Sequence, residues 1–214
     1  MSKSKFQKTN DFREITYGRR SVKAYNPEVK ISKEEMTDIL MGATRAPSSI
    51  NMQPWRFLVI ESKEGKEKLA SLAKFNQTQV LTSSAVIAVF ADMKNVEYLD
   101  EIFENAVKLG YMPQDVMDMQ LNFVKPYYNT ISAADLRDVN LIDAGLVSMQ
   151  LMLVARAHGY DTNPIGGYEK DKIAEAFDLD KDRYQPIMLI SIGQAAKEGY
   201  PSYRLPIETV ADWK

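Results

Sequence analysis

Residues 19–23 combine two kinds of group that can bind a phosphate. They follow a helical pattern that ends at Gly18, and they contain three cations and one hydroxyl. In an extended segment alternate side chains share a face, so Arg19, Ser21 and Lys23 would point the same way. A guanidinium offers a fork of donors and the serine offers one more, which suits a phosphate group. The alternative is a solvated basic loop, which is the commoner fate of such a run.

A second polar segment, residues 46–57, separates an amphipathic helical pattern from an apolar strand pattern. It contains two prolines, several small polar side chains, a glutamine and a tryptophan. Polar groups on a loop bounded by prolines can hold a flat polar ligand against an apolar wall. The alternative is a packed turn in which Ser48, Ser49 and Asn51 cap the neighbouring elements.

Two shorter segments could also face a ligand. Residues 75–80 form a polar patch between apolar neighbours, and residues 164–167 read Pro-Ile-Gly-Gly. Such a turn exposes backbone N–H groups with little side-chain cover, and glycine lets a backbone approach a flat ring closely. The alternative for residues 164–167 is a plain turn.

The composition excludes several kinds of catalytic site. The chain has no cysteine, which excludes disulfides, thiolate metal sites, cysteine nucleophiles and cysteine-ligated iron–sulfur clusters. Its one histidine, His158, ends a long helical pattern, where interaction with the helix dipole is commoner than catalysis. We therefore expect no metal site.

Charge and hydropathy set limits on partners and location. The net charge of −2 over 214 residues gives no bulk electrostatic argument for nucleic acid or an anionic membrane. We find no secretory signal and no stretch that is long and apolar enough to span a membrane. The sequence thus predicts a cytoplasmic protein, with a flexible polar lead over residues 1–9 and a single domain over residues 10–214.

The hydrophobic pattern predicts helices alternating with strands. A capping box at Ser32 starts a helix that runs to about Arg45, and strands are predicted at 57–60, 85–91 and 185–193. This order suits one sheet covered by helices. The longest helical pattern, 135–157, contains small residues that allow close approach of another helix, so it is a candidate for a central or dimer-facing helix. Standard dinucleotide and Walker motifs are absent.

Four segments in order resemble the FMN-dependent nitroreductase family. They read R-R-S-V-K-A-Y from Arg19, A-P-S-S-I-N-M-Q-P-W from Ala46, P-I-G-G from Pro164 and R-L-P from Arg204. The resemblance covers nearly the whole chain and is greatest to the short NAD(P)H nitroreductases of Gram-positive bacteria. It implies an α+β fold with a central, mostly antiparallel sheet flanked by helices. It also implies a homodimer with FMN at the subunit interface and a C-terminal tail extending onto the partner subunit.

The resemblance implies a role for each matching residue. Arg19, Ser21 and Arg204 match the phosphate clamp, with Arg20 beside them, and Lys23 matches a cation near the pyrimidine edge of the flavin. Asn76 matches the amide that hydrogen-bonds the flavin ring or the ribityl chain. The loop that reaches the flavin from the other subunit is matched by Pro47, Ser48, Ser49 and Asn51. The turn whose N–H groups face N5 and O4 is matched by Gly166 and Gly167, with Pro164 and Ile165 leading into them.

Three positions depart from the best-known enterobacterial members. Gly166 replaces a glutamate, Gln79 replaces a lysine near the ring, and Ser202 replaces a lysine of the phosphate clamp. A charge-assisted hydrogen bond contributes about 1.5–3 kcal/mol. We therefore expect FMN to be held more loosely here than in those relatives.

The resemblance implies an NAD(P)H-dependent FMN oxidoreductase with a ping-pong cycle. NADH or NADPH would be the donor, and a nitroaromatic, a quinone or another flat small molecule the acceptor. The flavin carries the chemistry, so no catalytic side chain is required. The helical stretch at residues 111–128 is the candidate wall of the acceptor site. Alternatives are a flavin store or redox interaction module without turnover, enal reduction, dehalogenation or flavin destruction, and a dimeric structural protein without flavin.

Overall fold

The computed structural model describes residues 8–214. Most of the expected N-terminal lead, residues 1–7, therefore lies outside the described residues. The two remaining residues of that lead are bonded to the domain. The backbone N–H of Thr9 donates to the Ala157 carbonyl at 3.0 Å, and the Lys8 ammonium lies 2.8 Å from the Glu35 carboxylate.

One antiparallel sheet forms the centre of the fold. Its strands are β1 (Trp55–Ile60), β2 (Ala85–Asp92), β3 (Asp161–Ile165) and β4 (Tyr184–Gly193), in the spatial order β1-β2-β4-β3. Every neighbouring pair is antiparallel, which confirms the expected sheet. Every residue of β2 is buried, and this explains why its sequence shows no alternation of apolar and polar residues.

Helices cover both faces of the sheet. The predicted N-cap at Ser32 is confirmed, because its side chain accepts from the Glu35 N–H at 3.1 Å. At the first helix the Asp11 side chain accepts from two N–H groups. The helices are α1 Phe12–Gly18, α2 Lys33–Ala43, α3 Lys63–Leu72, α4 Gln77–Thr82, α5 Leu99–Lys108, α6 Gln114–Thr130, α7 Ala133–Ala157, α8 Lys170–Ala176 and α9 Ile207–Val210.

Two apolar cores lie on opposite faces of the sheet. On one face Val147 and Leu151 of α7 pack with α2 against β2 and β4. On the other face Leu69 of α3 and Ile173 of α8 pack against the alternate residues of the same strands. A smaller cluster joins α5 and α6 to Met52, a buried residue of the 46–57 segment.

Helix α7 is long and apolar enough to span a membrane when judged by length and composition alone, so the expectation that no stretch meets these two criteria is wrong. Helix α7 has 25 residues, and its most apolar 18-residue window has a mean hydropathy of 1.4. Helices at the centre of a folded domain meet the same criteria, and α7 packs against all four strands. A cytoplasmic location and a single domain over residues 10–214 stay predictions.

A buried carboxylate ties β1, β2 and the chain before β4 together. Asp92 is fully buried, and Arg183 donates to both of its oxygens at 2.9 Å. Arg56 lies 3.2 Å from the same carboxylate and donates to the carbonyls of Gln53 and Trp55. The end of the 46–57 segment is thus fixed through Asp92.

Replacement of Asp92 tests this arrangement. We expect Asp92→Ala to lower the free energy of unfolding by about 3 kcal/mol, because it leaves two arginines without their shared partner. This value is at the low end for breaking a buried pair, since both guanidiniums are partly exposed. Urea unfolding at fixed protein concentration measures it. The control Glu97→Gln removes an exposed partner of Arg183 and should cost less than about 1 kcal/mol; equal losses would contradict the central role of Asp92.

Candidate functional site

A cavity of about 510 Å³ lies at the edge of the sheet where β3 ends. Three predicted segments, far apart in sequence, meet around it. Its lining residues are Lys23, Ala24, Phe75, Asn76, Thr78, Gln79, Asn163, Pro164, Ile165, Gly166 and Gly167. The segment 164–167 is not a plain turn, because Pro164 and Ile165 are the last residues of β3 and only the glycines lie beyond it.

Burial alternates over residues 21–23 of the 19–23 segment, where Ser21 forms a parallel bridge with Thr162. The Val22 N–H donates to the Thr162 carbonyl at 3.1 Å, which fixes the segment beside β3. Val22 is buried, whereas Ser21 and Lys23 are exposed and Arg19 is half-buried. Burying Val22 therefore turns the hydroxyl of Ser21 and the ammonium of Lys23 outward.

Asn76 and Gln79 form a bonded pair at the cavity wall. The Asn76 amide donates to the Gly167 carbonyl at 3.0 Å, and Gln79 donates to the Asn76 side-chain oxygen at 3.0 Å. These bonds fix the orientation of the Asn76 amide and connect α4 to the end of β3. A Cβ on Gly166 would meet nothing within 4 Å, so the cavity is open at that residue.

The guanidinium groups of Arg19, Arg20 and Arg204 lie close enough together for their charges to interact. Burial lowers the pKa of Arg19, and the positive charges of Arg204 and Arg20 lower it further. Within residues 8–214, the buried Nη1 of Arg19 has no hydrogen-bond partner. Clustered cations with an unpaired buried donor suit an anion such as a phosphate.

The C-terminal segment reaches this cluster by crossing the 19–23 segment. A Cβ on Gly199 would lie 2.5 Å from Cβ of Arg20 and 2.9 Å from the Ser21 carbonyl oxygen. Glycine is therefore required for the close approach. Within the tail, the Arg204 guanidinium donates to the Ser202 hydroxyl at 2.7 Å.

The 46–57 segment does not line the cavity of its own chain. Three of its residues have a positive φ, namely Ile50 at 52°, Asn51 at 56° and Gln53 at 44°, and each such residue costs about 1–3 kcal/mol. The Ser48 hydroxyl accepts from the Gln53 N–H at 3.0 Å within the segment, and it makes no capping bond to the short helical turn that follows it. Pro47, Ser48, Ser49 and Asn51 are thus held in a strained turn away from Lys23 and Gly166.

Sequence reasoning missed one aromatic residue of the site. Phe75 lies on the cavity wall and is 96% exposed, and its signal was an aromatic side chain beside Asn76 within a polar patch. His158 lies elsewhere: its Nδ1 is 2.6 Å from a Glu35 carboxylate oxygen. Across the described part of the chain, no three histidine, aspartate or glutamate side chains are arranged to hold a metal ion.

The nitroreductase family profile matches residues 16–194. The chain belongs to the nitroreductase family. YdgI of Bacillus subtilis, provisionally named an NAD(P)H nitroreductase, is 69% identical over 207 residues, covering 97% of this chain and 99% of that protein. The CLA biosynthesis enone reductase of Lactiplantibacillus plantarum is 34% identical over 95% of this chain and 94% of its own length.

A solved structure of a family member from Exiguobacterium sibiricum contains FMN. It is 65% identical to this nitroreductase-family chain, with a TM-score of 0.96, and covers 98% of this chain and all of that one. The family and the α+β fold expected from the sequence are therefore confirmed.

The crossing at Gly199 can be tested by adding one methyl group. We expect Gly199→Ala to displace the tail, since the new Cβ would meet backbone and Cβ atoms that cannot move independently. This change should lower the free energy of unfolding by about 1–3 kcal/mol, which urea unfolding at fixed protein concentration measures. Gly166→Ala is the matched control, because its Cβ enters open space; equal losses in the two variants would rule out a close-packed crossing.

Proposed function

We propose that this chain is an FMN-dependent NAD(P)H oxidoreductase that reduces small, flat acceptors. The single observation that carries the proposal is the unpaired, buried Nη1 of Arg19 beside Arg20 and Arg204, next to a cavity lined by Lys23 and Asn76. This arrangement offers an anion site and a polar cradle side by side, which fits a phosphorylated flat cofactor. FMN in the Exiguobacterium sibiricum relative supports the same cofactor here.

The cofactor phosphate would be held by Arg19, Ser21 and Arg204, with Arg20 adding positive charge. The fork of a guanidinium matches the oxygens of a phosphate, and the serine hydroxyl supplies a further donor. Binding the phosphate would also satisfy Arg19 Nη1 and relieve the repulsion among the three cations.

At the ring end, each chain residue has a separate part. Lys23 would stabilise negative charge that develops on the bound ring system, because a fixed cation acts strongly in a partly desolvated site. Asn76 would offer its remaining amide capacity to the cofactor while Gln79 and Gly167 keep it oriented. The backbone at Gly166 and Gly167 allows close approach, with Pro164 and Ile165 as its rigid base. FMN, when bound, supplies the hydride-transfer chemistry itself.

The acceptor is proposed as a class of molecule. Nitroaromatics and quinones are flat electrophiles that suit the open cavity beside Gly166 and the exposed ring of Phe75. An enone is a second acceptor class to test, because a 34% identical relative is named an enone reductase.

Turnover separates an oxidoreductase from a flavin store. We expect the purified protein loaded with FMN to be bleached by NADH or NADPH without oxygen, and then to reduce menadione or nitrofurazone repeatedly. An absorption spectrum and stopped-flow traces under both nucleotides measure these steps. Stable FMN binding without reduction by either nucleotide would instead favour the store, and failure to bind FMN would sink the proposal.

We also propose a homodimer in which the 46–57 segment of each subunit reaches its partner's cofactor. Helix α7 exposes an apolar stripe of Ile142, Leu146 and Met149, and a Cβ on Gly145 between them would meet nothing within 4 Å. The tail is exposed as well, including Trp213 at 78%. A partner subunit would cover both apolar surfaces, with the tail extended along it.

Removal of the clamp arginines tests the phosphate site. Arg19→Ala and Arg204→Ala should each weaken FMN affinity about 10- to 100-fold, since each removes a charge-assisted hydrogen bond of about 1.5–3 kcal/mol. Fluorescence titration measures the dissociation constants. Arg13→Ala is the control, because Arg13 lies over the Tyr17 ring on α1, outside the cluster; losses no greater than in this control would disprove the clamp assignment.

A charge in the α7 stripe tests the dimer. Leu146→Glu should produce monomers with at least roughly ten-fold weaker FMN affinity, because an unpaired charge in an apolar interface is strongly unfavourable. Light scattering after size exclusion gives the mass, and Ser71→Glu adds the same charge on the exposed side of α3 as a control. Monomers that retain FMN with unchanged affinity would contradict a cofactor site shared between subunits.

A further inference from the structure

The strained 46–57 segment is held by a carboxylate that the proposed chemistry does not use. Asp143 lies in the middle of α7 and is 3% exposed. The Ser49 N–H donates to both of its carboxylate oxygens, at 3.1 Å each. Among residues 8–214, burial and the Ser49 N–H act on the pKa of this carboxyl, and no lysine, arginine or histidine does. A buried carboxylate without a cation is unfavourable, so within residues 8–214 the Ser49 N–H, a backbone donor of this segment, is the contact that stabilises it.

This contact lies where the segment begins to adopt its unusual backbone. Ile50 and Asn51, directly after Ser49, both have a positive φ, and Met52 then enters the apolar cluster of α5 and α6. The contact between Ser49 and Asp143 therefore fixes the start of the strained turn, while Met52 fixes its end.

Helix α6 also approaches this carboxylate. Burial raises the pKa of Tyr128 to about 12, with the Asp143 charge as the next cause. Burial likewise raises the pKa of Asp143, and the Ser49 N–H opposes that rise. Asp143 thus lies between the 46–57 segment, α6 and the body of α7.

The same helix also carries the apolar stripe proposed as the dimer face. Ile142 precedes Asp143, and Leu146 lies one helical turn further on. A partner packed on Ile142 and Leu146 would hold α7 rigidly, and the bond from Asp143 to Ser49 would transmit that rigidity to residues 47–51.

We propose that Asp143 is a positioning residue that sets residues 47–51 of one subunit for the cofactor site of its partner. The inference rests on the proposed function, because it requires FMN to be bound between subunits. Asp143 touches neither cofactor nor acceptor in this role and acts only through the Ser49 N–H.

Two pairs of variants test the contact within the dimer. Asp143→Ala should weaken FMN affinity at least ten-fold, whereas Asp143→Asn should stay within about three-fold, because an amide oxygen still accepts from Ser49. Ser49→Pro removes the donor with little backbone strain, since Ser48 is extended and proline is tolerated at a first helical position. The loss of FMN affinity in Ser49→Pro is measured relative to Ser49→Ala. Adding Asp143→Ala to Ser49→Pro should weaken FMN affinity little further if both changes break the same bond.

A mixed dimer distinguishes positioning across the interface from a local structural defect. An Asp143→Ala chain has an intact clamp, and an Arg204→Ala chain has an intact 47–51 segment. Two differently tagged copies, co-expressed and purified through both tags, should therefore form one site from the two intact parts. We expect one FMN bound per mixed dimer with affinity close to wild type, although each parent homodimer binds weakly.

Each outcome is decisive for a different statement. Wild-type protein that binds no FMN overturns the proposed function and this inference together. Wild-type binding with unchanged affinity in Asp143→Ala overturns the inference alone. Two weak parents without a restored site would place the action of Asp143 within its own subunit, which contradicts the proposed role. If Asp143→Ala does not fold, the Ser49 variants replace it. The FMN affinity of Ser49→Pro is then compared with that of Ser49→Ala, and each is paired with Arg204→Ala in a mixed dimer. A restored site in the mixed dimer with Ser49→Pro supports the proposal, and two weak parents without a restored site contradict it.

Discussion

The burial of β2 on both faces is the constraint on which the layout depends. No side chain of this strand reaches solvent, and burial of apolar area stabilises the fold by about 25 cal/mol per Å². Helices must therefore cover both faces, which leaves only strand ends and sheet edges for polar chemistry. The cavity lies at the end of β3, and the strained turn lies before the start of β1.

Both candidate regions contain groups that are energetically unfavourable on their own. Arg19 keeps a buried donor without a partner, and three positive-φ residues occur within four positions before β1. The surrounding fold must supply the stability that these features cost, and buried Asp92 and Asp143 are two of the fixed points. Strain and unpaired donors at the edge of a well-packed core are typical of binding sites.

Local patterns predicted three of the four strands but missed β3 at Asp161–Ile165, and long-range partners were beyond them. The cap at Ser32, the strand at 85–91 and the exposure of Ser21 and Lys23 on either side of Val22 follow from residues close in sequence. By contrast, Ser49 meets Asp143 across 94 positions, and no periodicity reveals such a pair. The close packing of Gly199 against Arg20 is likewise invisible to a local pattern. A local pattern also could not distinguish the end of β3 from a turn at Pro164.

The two neutral residues at expected lysine positions have structural partners of their own. Ser202 accepts from the Arg204 guanidinium at 2.7 Å, and Gln79 donates to the Asn76 oxygen that forms part of the cavity wall. Ser202 therefore orients Arg204, and Gln79 orients Asn76, whereas a lysine at either position would add a positive charge. Fewer cations also mean less repulsion among Arg19, Arg20 and Arg204 before an anion arrives. The loss of two charges is thereby offset in part by preorganisation, so their number alone does not determine how tightly this site would hold a phosphate.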